Sequence, residues 1–217
     1  MATFLDRLTR PLIDENPVTL QILGICSALA VTTTLATALT MAAALTVVLC
    51  LSGLFISLIR RHIPHSVRLI VQITIIASLV IVIDGLLRAY AFEMSRRLSV
   101  FVGLIVTNCL VLGRAESFAM KNPVLPTLAD AFGNGLGYSL VLIVVGTLRE
   151  LLGAGTLLGR PVVATVAEGG WFEPLALMQR APAAFFILGL LVWAIRALRR
   201  SQAEAPDYRL EAAEEER

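Results

Sequence analysis

Residues 99–116, SVFVGLIVTNCLVLGRAE, decide how this chain is read. The stretch is apolar, yet Asn108 and Cys109 interrupt it and Gly113-Arg114-Ala115-Glu116 closes it. A helix needs about 20 apolar residues to cross a hydrocarbon core about 30 Å thick, because it rises about 1.5 Å per residue. Residues 99–113 fall short of that. A short apolar segment carrying a polar pair predicts a helix that stops part-way, its polar end facing protein rather than lipid.

A second stretch has the same make-up. Residues 17–34, PVTLQILGICSALAVTTT, are also short, also carry one cysteine, Cys26, and also run into a polar end. Each of these stretches leads one half of the chain. Short or broken segments at matching places in two halves point to an inverted repeat with the functional site where they meet.

Outward from these stretches the chain is apolar throughout. It is 57% hydrophobic with a mean hydropathy of +0.82, against about 45–50% apolar residues in a typical soluble domain. The excess lies in long runs, so the sequence reads as an all-α integral membrane protein embedded in a lipid bilayer. A net charge of +2 gives no reason to expect nucleic acid as a partner. The polar, acidic start MATFLDRLTRPLIDENP lacks the early apolar core and small-residue site of a cleavable signal. Residues 1–16 are therefore expected to be a mature, cytoplasmic segment.

In chain order, Asn16 is expected to cap a helix with Pro17 in its first turn, running to about Val31. TTTLAT follows, whose hydroxyls can bond freed backbone groups at depth. Residues 38–58 and 69–87 are expected as full-length spans, the second holding Asp84. The basic loop RRHIPHSVR lies between them. After the short fourth segment and a two-proline loop, Asp130 opens a glycine-rich span. A loop over 153–180 leads to the last apolar segment, 181–198. This makes six membrane segments, three plus three, with the first and fourth short. The membrane domain covers 17–198, with repeats 17–88 and 98–198, and residues 199–217 form a charged tail. Arginine and lysine are more frequent on the side that holds both ends, which favours cytoplasmic termini.

Three cysteines, all within apolar runs, do not make a disulfide framework. Cys50, mid-way along a span of Ala, Val and Leu, reads as a small core hydrophobe. Cys26 and Cys109 sit at equivalent places, and a pseudo-two-fold axis would bring their thiols together near mid-membrane. Two thiolates are half of an iron–sulfur site or half of a zinc site, or they form a dithiol redox pair. Spacing does not choose among these. Asp84 and Asp130 are the acids at membrane depth and are candidates for an ion path, with a solvated end and a helix cap as their respective plain readings. Arg149-Glu150 and Arg114…Glu116 read as interfacial anchors or ion pairs. No nucleotide loop, dinucleotide fingerprint or serine–histidine set is present in the sequence.

LGICSALAVTTTL around Cys26, SLIRRHIPHSVRLIVQITIIASLVIVID ending at Asp84, LSVFVGLIVTNCLVLGRAESFAMK around Cys109, GNGLGYSLVLIVVGTLRELLGAG and GGWFEPLALM carry a family resemblance. Residues 16–196 resemble the D subunits of the Na+-translocating NADH:quinone reductases, the Nqr complexes. That resemblance implies a six-helix component of a bacterial inner-membrane enzyme, paired with a homologous E-type component of opposite orientation. It implies the A, B, C and F subunits as further partners. It implies a [2Fe–2S] cluster shared with the homologous partner, with Cys26 and Cys109 as the ligands from this chain. Electrons would pass between flavins, from NADH toward ubiquinone, with sodium ion exported. It also makes Asp84 and Asp130 candidates for the sodium path. The alternatives are the E-type component of an Rnf-type complex, which shares both cysteine motifs, and a cofactor-free inverted-repeat transporter.

Overall fold

A computed structural model describes residues 11, 16–64, 66–90, 103–161 and 175–198. Most of the residues expected to form the N-terminal segment and the 88–97 connection, and all of the charged tail, therefore lie outside the described residues. Helices dominate the rest: α1 (Ile25–Val31), α2 (Leu35–Ile59), α3 (Arg68–Tyr90), α4 (Cys109–Arg114), α5 (Val124–Ala154) and α6 (Ala181–Leu198). Helix α4 runs straight into a π-helical turn, Ala115–Ala119. A two-stranded hairpin, β1 (Thr156–Leu157) with β2 (Arg160–Pro161), and a 3-10 turn, Ala176–Gln179, stand between α5 and α6.

Among the described residues, three helices have the length and hydropathy to cross a membrane: Leu35–Ile59, Arg68–Leu86 within α3, and Val124–Ala154. Pro182–Leu198 is apolar but shorter. The molecule is centred on α2 and α5, which cross antiparallel. Gly146 faces Ala38, Gly135 faces Thr46, and Thr127 faces Gly53. Small side chains allow this approach, and a Cβ on Gly135 would stand 2.7 Å from Thr46. Met41, Leu45 and Val48 of α2 and Tyr138, Leu142 and Val145 of α5 form the centre of the core. Helix α3 adds Ile76 and Val80 to this core from its inner face and leaves Ile70, Ile81 and Val82 exposed on the outer one. Helix α6 buries Ala183, Ala184, Ile187 and Leu188 at helical spacing and leaves Phe185, Phe186, Leu190 and Trp193 outward.

The boundaries differ from the expectations in ways that matter for the site. Residues 17–31 are not one helix. Asn16 Oδ1 does accept from the Val18 and Thr19 N–H groups, at 3.0 and 3.3 Å, but it caps a turn only. The chain then bends through Ile22 at φ 57° and Gly24 at φ 79°, and α1 starts at Ile25. The fourth segment does not end at Gly113. It is helical over 103–106, breaks at Thr107 and Asn108, restarts at Cys109 and continues through the π turn to Ala119. Asp130 does not cap α5, which begins after Pro123 and has already completed its first turn when it reaches Asp130. A proline in a first turn gives up no intrahelical hydrogen bond, so Pro126 is accommodated within the helix.

Candidate functional site

The two breaks put the cysteines at helix starts. Cys26 is the second residue of α1 and Cys109 the first of α4. Both thiols are exposed, and both line one recess of about 110 Å³ together with Gly24, Ser27, Thr107 and Asn108. The Gly24 N–H, from the turn that leads to Cys26, donates to Cys109 Sγ at 2.9 Å. The first broken segment thus supplies a hydrogen bond to the sulfur of the second. Only glycine serves at residue 24. Its φ of +79° is a left-handed conformation, and a Cβ would meet Tyr138 Cε2 at 2.9 Å.

Beneath the recess, Asn108 caps α4 by accepting from the Leu110 N–H at 2.9 Å, and its Nδ2 donates to Ser27 Oγ at 2.9 Å. Ser27 also bonds the Gly24 carbonyl at 2.9 Å and the Tyr138 hydroxyl at 2.7 Å. Cys50 is away from this region. It is half-buried along α2 against the main core, in keeping with its reading as a small hydrophobe.

The far end of α1 is closed by charge from α5. Arg149 is 1% exposed and uses all five of its N–H groups. They go to the carbonyls of Leu29, Met178, Gln179 and Arg180 and to Thr32 Oγ1, at 2.8–3.2 Å. Among the described residues no carboxylate lies within ion-pair distance of it. Glu150 is 4% exposed and caps α2, accepting from the Leu35 N–H at 2.6 Å and the Gly159 N–H at 3.1 Å. The expected interfacial pair is therefore buried, because a broken helix in a membrane leaves carbonyls and N–H groups that protein must satisfy. The threonines of TTTLAT contribute as their composition suggests. Thr32 bonds the Ala28 carbonyl and Thr37 the Val31 carbonyl, at 2.7 and 2.8 Å.

The two acids are apart from the thiol recess. Asp130 pairs with Arg114 at 2.5 Å beside a cavity of about 10 Å³, room for about one water. Asp84 pairs with Arg88 at 2.8 Å one turn on, and its Oδ1 is buried with no hydrogen-bond partner among the described residues. Glu116 bonds Arg68 at 2.6 Å and Gln72 at 2.9 Å, tying the π turn to α3. The charges of Arg114 and Glu116 are thus ion-paired, each with a different helix.

The structure brings Cys26 and Cys109 to one recess and places Asn108, singled out by sequence as a break, beneath it; sequence reasoning missed Gly24, Ser27 and Tyr138 beside them, and Arg149 and Glu150 at the far end of α1. A charged dipeptide inside an apolar helix was the available signal for the last two. Residues 4–192 match the sequence family described as Rnf-Nqr subunit, membrane protein. Similar proteins are named as the D subunit of Na(+)-translocating NADH-quinone reductase. The one from Serratia proteamaculans (strain 568) is 61% identical over 91% of this chain and 94% of its own length. That from Pseudomonas paraeruginosa (strain DSM 24068 / PA7) is 58% identical over 96% of this chain and 93% of its own. The chain belongs to the Rnf-Nqr family of membrane subunits, on the branch of the D subunits of Na+-translocating NADH–quinone reductases.

Proposed function

We propose that this chain is a relay and scaffold component of a sodium-translocating NADH:quinone reductase in the bacterial inner membrane, and that Cys26 and Cys109 supply two of four thiolates to a shared [2Fe–2S] cluster. The observation that carries the reading is the meeting of both thiols at the rim of one recess. The donor set fits half of such a group. Two thiols face outward, one already accepts an N–H, and among the described residues no set of three His, Cys, Asp or Glu side chains is grouped for a metal. The other two ligands then come from a partner, the homologous E-type component, with the A, B, C and F subunits completing the enzyme. When bound, the cluster supplies one-electron transfer between flavins on the path from NADH to ubiquinone.

The chain's own residues do the holding. The Gly24 N–H stabilises charge on the Cys109 sulfur. The order short helix, long helix, third helix recurs in both halves, which supports three plus three membrane segments related by inversion. The names carried by its relatives favour the Nqr D-type reading over the Rnf E-type one. Both acids are paired with an arginine, and Asp84 is the better sodium-path candidate because its second oxygen is buried with no hydrogen-bond partner among the described residues.

Iron and acid-labile sulfide in the purified complex test the ligands. Cys26→Ala and Cys109→Ala are each expected to lower both by one cluster's worth, and Cys50→Ala to leave them unchanged. Loss with Cys50→Ala but not with Cys26→Ala overturns the assignment. Asp84→Asn is expected to weaken sodium-dependent turnover with the cluster content intact.

A further inference from the structure

We propose that Ser27, Asn108 and Tyr138 are positioning residues that lock the two cysteine turns together, hold the Gly24 N–H on the Cys109 sulfur, and so raise the reduction potential of the group held there. The proposal rests on the cluster reading above. The hydrogens at this site can be assigned one by one. A serine hydroxyl has one hydrogen to give and two positions to accept. Ser27 gives its hydrogen to the Gly24 carbonyl at 2.9 Å. Asn108 Nδ2 can only donate, and does so to Ser27 Oγ at 2.9 Å. The orientation of that amide is set by its other end, since Oδ1 must be the atom that accepts from the Leu110 N–H. One position on Ser27 remains, and the Tyr138 hydroxyl fills it as a donor at 2.7 Å.

Every hydrogen-bonding position on Ser27 is therefore used, within a buried site: Ser27 is 2% exposed, Asn108 4% and Tyr138 0%. The network joins the start of α1, the start of α4 and the middle of α5. Its output is the Gly24 peptide. Ser27 holds the carbonyl side of that residue, the Tyr138 ring packs beneath its Cα, and its N–H is left aimed at Cys109 Sγ. Without the network the Gly24 turn keeps the Ala28 N–H on its carbonyl, at 3.2 Å, and the Leu23 N–H on the Pro17 carbonyl, at 2.8 Å, neither of which reaches across to α4 or α5. An N–H aimed at sulfur stabilises the form that carries more negative charge, which is the reduced one. Loosening it moves the potential negative.

Redox titration of the cluster's paramagnetic signal in the purified complex, alongside iron and acid-labile sulfide, provides the test. Ser27→Ala is expected to shift the midpoint negative by about tenfold in the oxidised-to-reduced ratio, ~59 mV for a one-electron couple. Tyr138→Phe keeps the ring and removes one donor. It is expected to retain full iron and shift the midpoint less, in the same direction. Ser27→Thr, which restores a hydroxyl, is expected to return the midpoint toward that of the parent. Should Ser27→Ala not accumulate, Tyr138→Phe decides the matter. A parental midpoint and line shape in Tyr138→Phe overturn the proposal, and so does lost iron with an unmoved midpoint, which marks simple structural support. A signal that survives Cys109→Ala instead removes the cluster reading beneath it, so the two failures are distinct.

Discussion

The two cysteine-bearing helices begin alike and end differently. Each starts at a break that places a thiol in the shared recess, and each runs for a turn or two before another break. Helix α1 ends at a threonine-rich bend held by two buried charges reaching in from α5. Helix α4 ends by widening into a π turn, and the following bend is held by neutral groups. Ser57 Oγ donates to the Asn122 carbonyl at 2.8 Å, and Thr127 Oγ1 to the Pro123 carbonyl at 2.9 Å. Its charged groups pair with other side chains instead of backbone: Arg114 with Asp130, largely buried, and Glu116 with Arg68, about a third exposed on both sides. The same problem, backbone groups freed at a helix break, is met by buried charges on one side and by neutral hydroxyls on the other. The first concentrates stability in single residues; the second spreads it.

Arg149 is where that contrast breaks most sharply. Arg149→Met would strip partners from four carbonyls and a hydroxyl. A buried group left unsatisfied costs about 1–3 kcal/mol. The sum, about 4 kcal/mol or more, is a large part of a typical stability. The variant chain is expected not to accumulate in the membrane fraction, measured by immunoblot against the intact complex. Arg149→Lys keeps the charge but offers three donors in place of five, so partial accumulation is expected. Parental levels for Arg149→Met would show that the 3-10 turn and the end of α1 hold themselves.

Gly24→Ala comes next and acts on what the helices share rather than where they differ. The left-handed φ costs a non-glycine residue about 1–2 kcal/mol, and the added Cβ presses on the Tyr138 ring. A lowered melting temperature together with a midpoint moved negative is expected, since the same shift turns the N–H from Cys109. Glu150→Ala follows, removing a cap from α2 at about 1–2 kcal/mol. It is expected to lower the melting temperature while leaving the cluster signal in place. Loss of the signal in Glu150→Ala would mean that the bend after α1 reaches the thiols more directly than the geometry indicates.

Hydropathy made the helical membrane fold and the unusual status of residues 99–113 legible, because lipid leaves few options to a chain this apolar. That the two thiols share one recess was legible from their equivalent places in the two short segments, each leading one half of the chain. The position of the breaks was not. Val18, Leu20, Ile22 and Leu23 are as apolar as any helix, so the turns through residues 17–24 are invisible to an apolarity pattern. What marks them is the φ of Gly24, and a glycine in an apolar run reads equally as a packing residue. Arg149 and Glu150 read as a mixed-charge end, and their backbone partners were not legible, because a charge pattern carries no record of the carbonyls and N–H groups that a broken helix leaves free. Asp130 was taken for a cap because the prolines before it read as loop, whereas α5 begins just after Pro123 and absorbs Pro126 in its first turn.

The smallest expected effect is also the cleanest check on the neutral side of the comparison. Arg68 and Glu116 meet at 2.6 Å with side chains 35% and 33% exposed, a half-solvated pair worth about 0–1 kcal/mol. Glu116 keeps a second partner in Gln72, so Arg68→Ala does not orphan it. Arg68→Ala is expected to leave the level of complex unchanged and to lower the melting temperature by about a degree or two at most. Gln72 is fully buried, and its Nε2 reaches Glu116 from the same face of α3. Gln72→Leu, which leaves Glu116 with the outer arginine alone, should therefore cost more than Arg68→Ala despite removing no charge. If the order is reversed, the ion pair with Arg68 and not the buried amide of Gln72 holds the π turn to α3.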